Sequence, residues 1–300
     1  MDISQFEDLK VAVADRCGVE LDVTVHSSID STNDWSLRQC STGKILPFAC
    51  FAENQTHGKG RRGKQWLMSP NANIAMSLSW SFALPYQSLQ LLPLSVAMAI
   101  VKTLETINIK QVQIKWPNDV YVNGKKIAGI LIETSPVRAG SKLVQGAAQF
   151  AGPRIEGGLA VVIGVGLNYD MRPMSQAHEE LPVLTDVYSH INTSSADKRA
   201  HDTGRSAVAT ELLSQVVAVC RNYQKNTRCY LDEFRETYDY CLHKNVEIVR
   251  DNGEIVTGLA QGVNEDAELI VNIEGKQEIF NSAEVSVKAG ENNSLEMPSV

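Results

Sequence analysis

No apolar run in the 300 residues approaches the 18 needed to cross a bilayer, and no membrane-spanning helix is expected. The first ten residues, MDISQFEDLK, are acidic and hold no apolar core, so no export signal is expected either. No C-x-x-C pair joins the six cysteines at 17, 40, 50, 220, 229 and 241. At this chain length that pattern reads as reduced thiols in a cytoplasmic protein, not as a disulfide framework. The histidines at 26, 57, 178, 190, 201 and 243 share no ligand spacing with each other or with cysteine, and no metal site is directly assignable. Net positive charge is missing too: 28 Lys+Arg against 35 Asp+Glu leave −7. Any cationic patch is therefore local, and a general nucleic-acid coat is excluded.

Against that acidic background the stretch HGKGRRGKQW, residues 57–66, stands out. Gly58, Gly60 and Gly63 have the G-x-G-x-x-G spacing, and Lys59, Arg61, Arg62 and Lys64 lie among them. A dinucleotide fingerprint needs a helix after the third glycine and an acid about 20 positions on. Here KQWLMSPNAN follows, and no Asp or Glu occurs from Asn54 to Leu104. The G-K-[ST] of a Walker loop and the H-R-D and D-F-G of a kinase are absent as well. What is left is a solvated basic loop or a mobile cationic flap for an anionic ligand, and the loop alone does not decide between them.

A second constellation decides it. In KWPNDVYVNGKKIAG, residues 115–129, Lys115, Asn118 and Asp119 surround a proline-set turn. Turn shaping accounts for Asn118 and Asp119. It does not account for Lys126 beside Ala128 and Gly129 in a strand otherwise as apolar as IAGILIE, where a lysine needs an anionic partner.

Around these motifs the pattern alternates between strands and helices. LDVTVHSSID, FACFAENQ, NIAMSLSWSF and GLAVVIGVGLNYD read as strands, with Ser31, Thr32, Asn33 and Asp34 offering helix caps after the first. Residues 88–108 form an apolar helix with Pro93 in its first turn, and two amphipathic helices cover about 205–242. Asn123-Gly124 marks a two-residue hairpin, and residues 134–158 look like a long hairpin or loop insertion. After Asn245 come short alternating strands with turns at Asn252-Gly253, Asn264-Glu265 and Glu274-Gly275, a small SH3-like barrel. The expected divisions are an N-terminal helix at 1–20, a catalytic domain at 21–243, the barrel at 244–289 and a disordered tail at 290–300.

Taken together, IDSTN (29–33), ENQTHGKGRRGKQW (53–66), KWPNDV (115–120), KKIAGILIE (125–133), GVGLN (164–168) and AEVSVK (283–288) closely resemble the biotin–protein ligase family. The resemblance implies an α+β fold: a class II synthetase-like, biotin/lipoate ligase catalytic domain with a mixed sheet, followed by the SH3-like barrel. It implies activation of biotin by Mg·ATP to biotinyl-5′-AMP, then transfer to a lysine of the biotin carboxyl carrier protein domain of acetyl-CoA carboxylase. On this resemblance Lys126 and Arg61 are the catalytic residues. Ser31, Thr32, Asn33, Gln55, Lys59, Gly60, Arg61, Lys126 and Gly129 line the biotin side, and Arg61, Arg62, Trp66, Lys115, Asn118, Asp119 and Asn168 the ATP side. Lys59 and Lys288 stand where relatives often carry arginine; lysine keeps the charge and loses the bidentate fork. A homodimer through the sheet edge is admitted by the resemblance, with the 134–158 segment standing where relatives' loops build that contact.

Two alternatives stay in view. Lipoate and octanoyl transferases share the fold, but the K-W-P-N-D segment is missing from them. A biotin-sensing regulator needs a winged helix-turn-helix. Residues 1–25 instead hold six acids and two bases, a net −4 that phosphates repel, and no DNA partner is expected.

Overall fold

The computed structural model describes residues 13–82, 84, 86–136, 159–172, 184–191, 204–250, 252–282 and 285–289. Seven strands form the first sheet: β1 (Asp22–His26), β2 (Phe48–Ala52), β3 (Ile74–Phe82), β4 (Val112–Lys115), β5 (Asp119–Val122), β6 (Lys125–Pro136) and β7 (Leu159–Leu167). Their spatial order is β1-β2-β3-β7-β6-β5-β4. Only β1 and β2 run parallel; every other pairing is antiparallel, so the sheet is mixed as expected.

Both faces of this sheet are covered. Helices α2 (Leu92–Thr106) and α3 (Arg205–Glu233) pack on one face, against Met76, Leu78, Val161 and Ile163. Helix α1 (Thr32–Ser41) covers part of the other, where Phe48, Ala160 and Val162 meet Trp35. Alternation in β3 therefore does not separate core from solvent: Ser77 and Ser79 are as buried as Met76 and Leu78. Pro93 lies in the first turn of α2, where its missing N–H costs no helical bond.

The two amphipathic helices expected over 205–242 meet at Asn222, where α3 kinks through non-helical angles (φ −109°, ψ 15°), and a π turn at Phe234–Tyr238 closes the second. Nothing between Arg205 and Leu242 is glycine or proline, so the chain kinks at Asn222 without a residue that would end the helix outright. Residues 13–17 are helical, with Val13 in the core and Gly18 ending the turn at φ +60°. The rest of the expected N-terminal helix, and the 290–300 tail, lie outside the described residues. Within the 134–158 segment, residues 134–136 continue β6 and pair with β7; residues 137–158 lie outside the described residues.

Asn123 (φ +52°) and Gly124 (φ +73°) turn β5 into β6 as a two-residue hairpin. The second sheet holds β8 (Asn245–Arg250), β9 (Ile255–Val263), β10 (Leu269–Ile273), β11 (Lys276–Phe280) and β12 (Val285–Ala289), all antiparallel, in the order β11-β10-β9-β8-β12. Val246, Ile248, Leu269 and Val271 belong to the same hydrophobic core as α2 and α3, so the SH3-like module is packed onto the larger domain. The approach to it covers the β4 edge: Tyr240 donates its backbone N–H to the Ile114 carbonyl at 3.0 Å. A dimer through this sheet would thus need the β1 edge.

Candidate active site

A cavity of about 330 Å³ lies where the glycine-rich loop, the start of α1, the 115–119 turn and strands β3, β6 and β7 meet. Of the residues expected at the site, Ser31, Thr32, Asn33, Gln55, Lys59, Gly60, Arg61, Arg62, Trp66, Lys115, Asn118, Asp119, Lys126 and Gly129 all line it. Asn168 does not. It is buried behind the wall, donating to the carbonyls of Lys126 (3.4 Å) and Thr185 (3.1 Å), and so holds the backbone that carries Lys126.

At one end sits a directional network of uncharged side chains, tied at its back to the Glu133 carboxylate. Ser31 caps α1, its hydroxyl accepting from the Asp34 amide at 3.4 Å. Thr32 donates its amide to Gln55 Oε1 at 2.8 Å, and its hydroxyl lies 2.8 Å from that of Ser77. Ser77 also reaches Asn33 Oδ1 at 2.6 Å, while Asn33 Nδ2 donates to the Leu131 carbonyl (3.2 Å) and to Glu133 (2.9 Å). Both amide hydrogens of Asn33 are thereby consumed, leaving the side chain one free acceptor position.

At the other end the groups are charged. Lys126 Nζ lies 2.8 Å from Asp119 Oδ1 and 5.5 Å from the centre of the Trp66 ring. Lys115 stands over Tyr121, and burial holds its ammonium below the usual lysine range, opposed by the neighbouring Asp119. Arg61 is pushed the same way, by burial first and by Arg62 second. It donates to Asn118 Oδ1 at 3.0 Å and to the Ser282 carbonyl of the SH3-like module. Arg62, at φ +54°, reaches the Val249 carbonyl at 3.3 Å. Lys59 pairs with Asp34 at 2.6 Å, and that bond raises its affinity for the proton.

The loop itself is folded as a tight turn, with Gly60 N bonded to Lys64 O at 2.7 Å and Trp66 N to Gly58 O at 2.9 Å. Two glycines on β7 make room for its neighbours. A Cβ at Gly166 would fall 2.8 Å from Trp66 Nε1 and closer still to the ring, and one at Gly164 would strike the Asn33 amide. Asp34, Ser77, Glu133, Gly164 and Gly166 were not among the residues expected here. The glycines carried a signal, since glycine inside a strand marks close approach of another group.

Asp119 is the single carboxylate lining the cavity, and among the described residues no three His, Cys, Asp or Glu side chains cluster as metal ligands. That donor set suits a Mg²⁺ held by nucleotide phosphates and water.

Residues 25–151 match the model of the biotin/lipoate A/B protein ligase family, and residues 242–288 match that of the biotin protein ligase C-terminal domain. The chain is 27% identical over 270 residues to the Escherichia coli bifunctional ligase/repressor BirA, spanning 90% of this chain and 75% of that protein. It is 26% identical over 271 residues to the biotin–[acetyl-CoA-carboxylase] ligase of Mycobacterium tuberculosis, spanning 89% and 88%. In fold it is similar to the biotin protein ligase of Aquifex aeolicus solved with biotin and ATP, at a TM-score of 0.65 and 21% identity over 90% of this chain and 99% of the other. Among the described residues no helix is long and apolar enough to cross a membrane. With both family models matched and the cavity lined mainly by residues of the first matched segment, the chain belongs to the biotin protein ligases of the biotin/lipoate A/B protein ligase family.

Proposed function

We propose that this chain activates biotin with Mg·ATP as biotinyl-5′-AMP and transfers the biotinyl group to a lysine of a biotin carboxyl carrier domain of acetyl-CoA carboxylase. The observation that carries this reading is the division of one cavity into a neutral hydrogen-bonding end at Ser31, Thr32 and Gln55 and a cationic end at Lys126, Lys115 and Arg61. A cyclic urea needs donors and an acceptor in a confined slot, which the first end provides. A carboxylate attacking an α-phosphate brings two anions together, and cations fixed at both groups remove that repulsion.

Lys126 stands at the junction of the two ends and takes the biotin carboxylate, then the adenylate phosphate. Arg61 takes the phosphate by leaving its present acceptors, Asn118 and Ser282. Trp66 offers a ring face beside Gly129 and Gly166 against which the adenine packs. Asp119 holds Lys126 in place until the substrate carboxylate arrives. Asn33 and Asn168 act at one remove, one holding α1 to the sheet and the other holding the Lys126 backbone.

The test is direct. Radiolabelled biotin, Mg·ATP and a biotin carrier domain are incubated with the protein, and label is expected on the carrier. Label that appears with lipoate and not with biotin overturns the proposal. DNA has no part in this reading, since residues 1–25 carry a net −4. A mobility shift with a biotin-operon promoter that survives competitor DNA would restore the regulator alternative.

A further inference from the structure

Trp116 lies inside the K-W-P-N-D turn yet is bonded to the SH3-like module. Its indole Nε1–H donates to the Ala267 carbonyl at 2.7 Å, across 151 positions of sequence, with the side chain only 2% exposed. The acceptor is presented by a braced turn. Ala267 is held at φ +58°, its amide bonded to the Asn264 carbonyl at 3.0 Å. Asn264 Oδ1 accepts from the amides of Asp266 (3.0 Å) and Glu268 (2.9 Å), and Asn264 Nδ2 donates to the Glu268 carboxylate at 2.8 Å. On its far side Arg235 donates to the Val263 carbonyl at 3.1 Å and pairs with Glu265 at 3.0 Å.

The chain neighbours of Trp116 are Lys115 on one side and Pro117, Asn118 and Asp119 on the other, all at the charged end of the cavity. None of the bonds that arrange the neutral end runs through this turn: those join α1 to Gln55, Ser77, Leu131 and Glu133. A rotation of the turn by one lost bond therefore shifts Lys115, Asn118 and Asp119 and leaves Thr32 and Gln55 where they are. We infer that Trp116 is a positioning residue for the adenylation step, through which the 264–268 turn of the SH3-like module sets the placement of the nucleotide-facing side chains. This rests on the function proposed above and adds to it a residue and a route by which the module acts on ATP.

Trp116→Phe keeps an aromatic ring and removes the N–H, leaving a buried carbonyl without its donor. The apparent KM for ATP in biotin-dependent pyrophosphate exchange is expected to rise about five- to tenfold, the equivalent of one buried hydrogen bond. The Kd for biotin, measured by calorimetry without ATP, is expected to rise by no more than about twofold, because the turn reaches the biotin side only through the Asp119–Lys126 pair. Asn264→Ala loosens the turn without touching the cavity and should shift the same KM in the same direction. Because both changes act through one bond, the double variant should be no worse than Trp116→Phe alone. An unchanged KM for ATP, an equal shift in biotin affinity, or effects that multiply in the double variant would each overturn the inference. If Trp116→Phe does not fold, Asn264→Ala decides alone, and a change in both substrates or in neither counts against the proposal. A wild-type protein with no biotin-dependent exchange sinks the function itself and this inference with it. That outcome is distinct from an active wild type with silent variants.

Discussion

Lys126 depends for its place on residues with no side chain. A Cβ at Gly129 would come within 3.2 Å of the Lys126 ammonium, and one at Gly166 would overlap the Trp66 ring beneath it. Replacing Lys126 by Ala removes a charge that acts where negative charge accumulates. The expected cost is about 3–4 kcal/mol of transition-state stabilisation, read as biotin-dependent pyrophosphate release. Lys126→Arg should recover only part, since the wider fork meets Gly129 and Ala128. Release by Lys126→Ala within about twofold of wild type would remove the residue from its role. Gly166→Ala tests the floor. Its methyl group overlaps the indole, so Trp66 must move, at a cost of about 1–3 kcal/mol in unfolding free energy together with weaker nucleotide binding. A variant with unchanged melting and unchanged KM for ATP would show that the ring relocates freely. At this scale Lys126 was legible from the sequence because a cation in an apolar strand has few bland explanations, whereas Arg61 and Lys115 needed the combined motifs, since a basic glycine-rich loop reads equally as a solvated one. Ser77 and Glu133 were not, because an ordinary polar residue in a strand becomes part of a site only when a helix from elsewhere is laid across it.

Helix α1 is the element that joins the two ends of the cavity. Its first turn supplies Thr32 and Asn33 to the neutral end, and Asp34 ties it to Lys59 of the glycine-rich loop. The loop rests on Asp34, Asn118 and two carbonyls of the SH3-like module. Ahead of α1, Asp30 accepts two bonds from Arg38, at 2.7 and 2.9 Å, which hold its carboxyl at about 2, well below the ordinary 3.8. A depressed carboxylate contributes fully above its unfolded value and loses that contribution as pH falls through the folded one. Asp30→Asn should therefore lose less stability than wild type between pH 4 and pH 2 in urea unfolding, within the ~0–1 kcal/mol of a partly exposed pair. Parallel acid curves for the two proteins would show that the bond does not hold the start of α1.

Across the whole molecule one apolar core runs from Val13 through α2 and α3 into Val246 and Leu269, so the module and the larger domain share their stability. Cys17, Cys40, Cys50, Cys220 and Cys241 are buried and Cys229 is exposed, with burial pushing the thiols of Cys50 and Cys241 up to about 12. A thiol reagent should thus titrate one cysteine rapidly in the native protein and all six after denaturation. Two or more fast thiols would mean that an element burying one of the other five opens under native conditions.

The pattern of the chain by itself determined the strand and helix count in its main lines, the Asn123-Gly124 hairpin, the change of architecture after Asn245 and the cations of the site. Each of these depends on short-range rules: side-chain period, the φ > 0 that a turn demands, and the cost of stranding a charge. The course of α3 through its kink at Asn222, the burial of both faces of β3 and the bond from Trp116 to Ala267 were decided by tertiary structure. The reason is common to all three. A helix that meets no breaker continues while its face stays covered, a polar strand residue is buried or wet according to what packs above it, and a hydrogen bond between residues 151 positions apart exists only after the chain has folded.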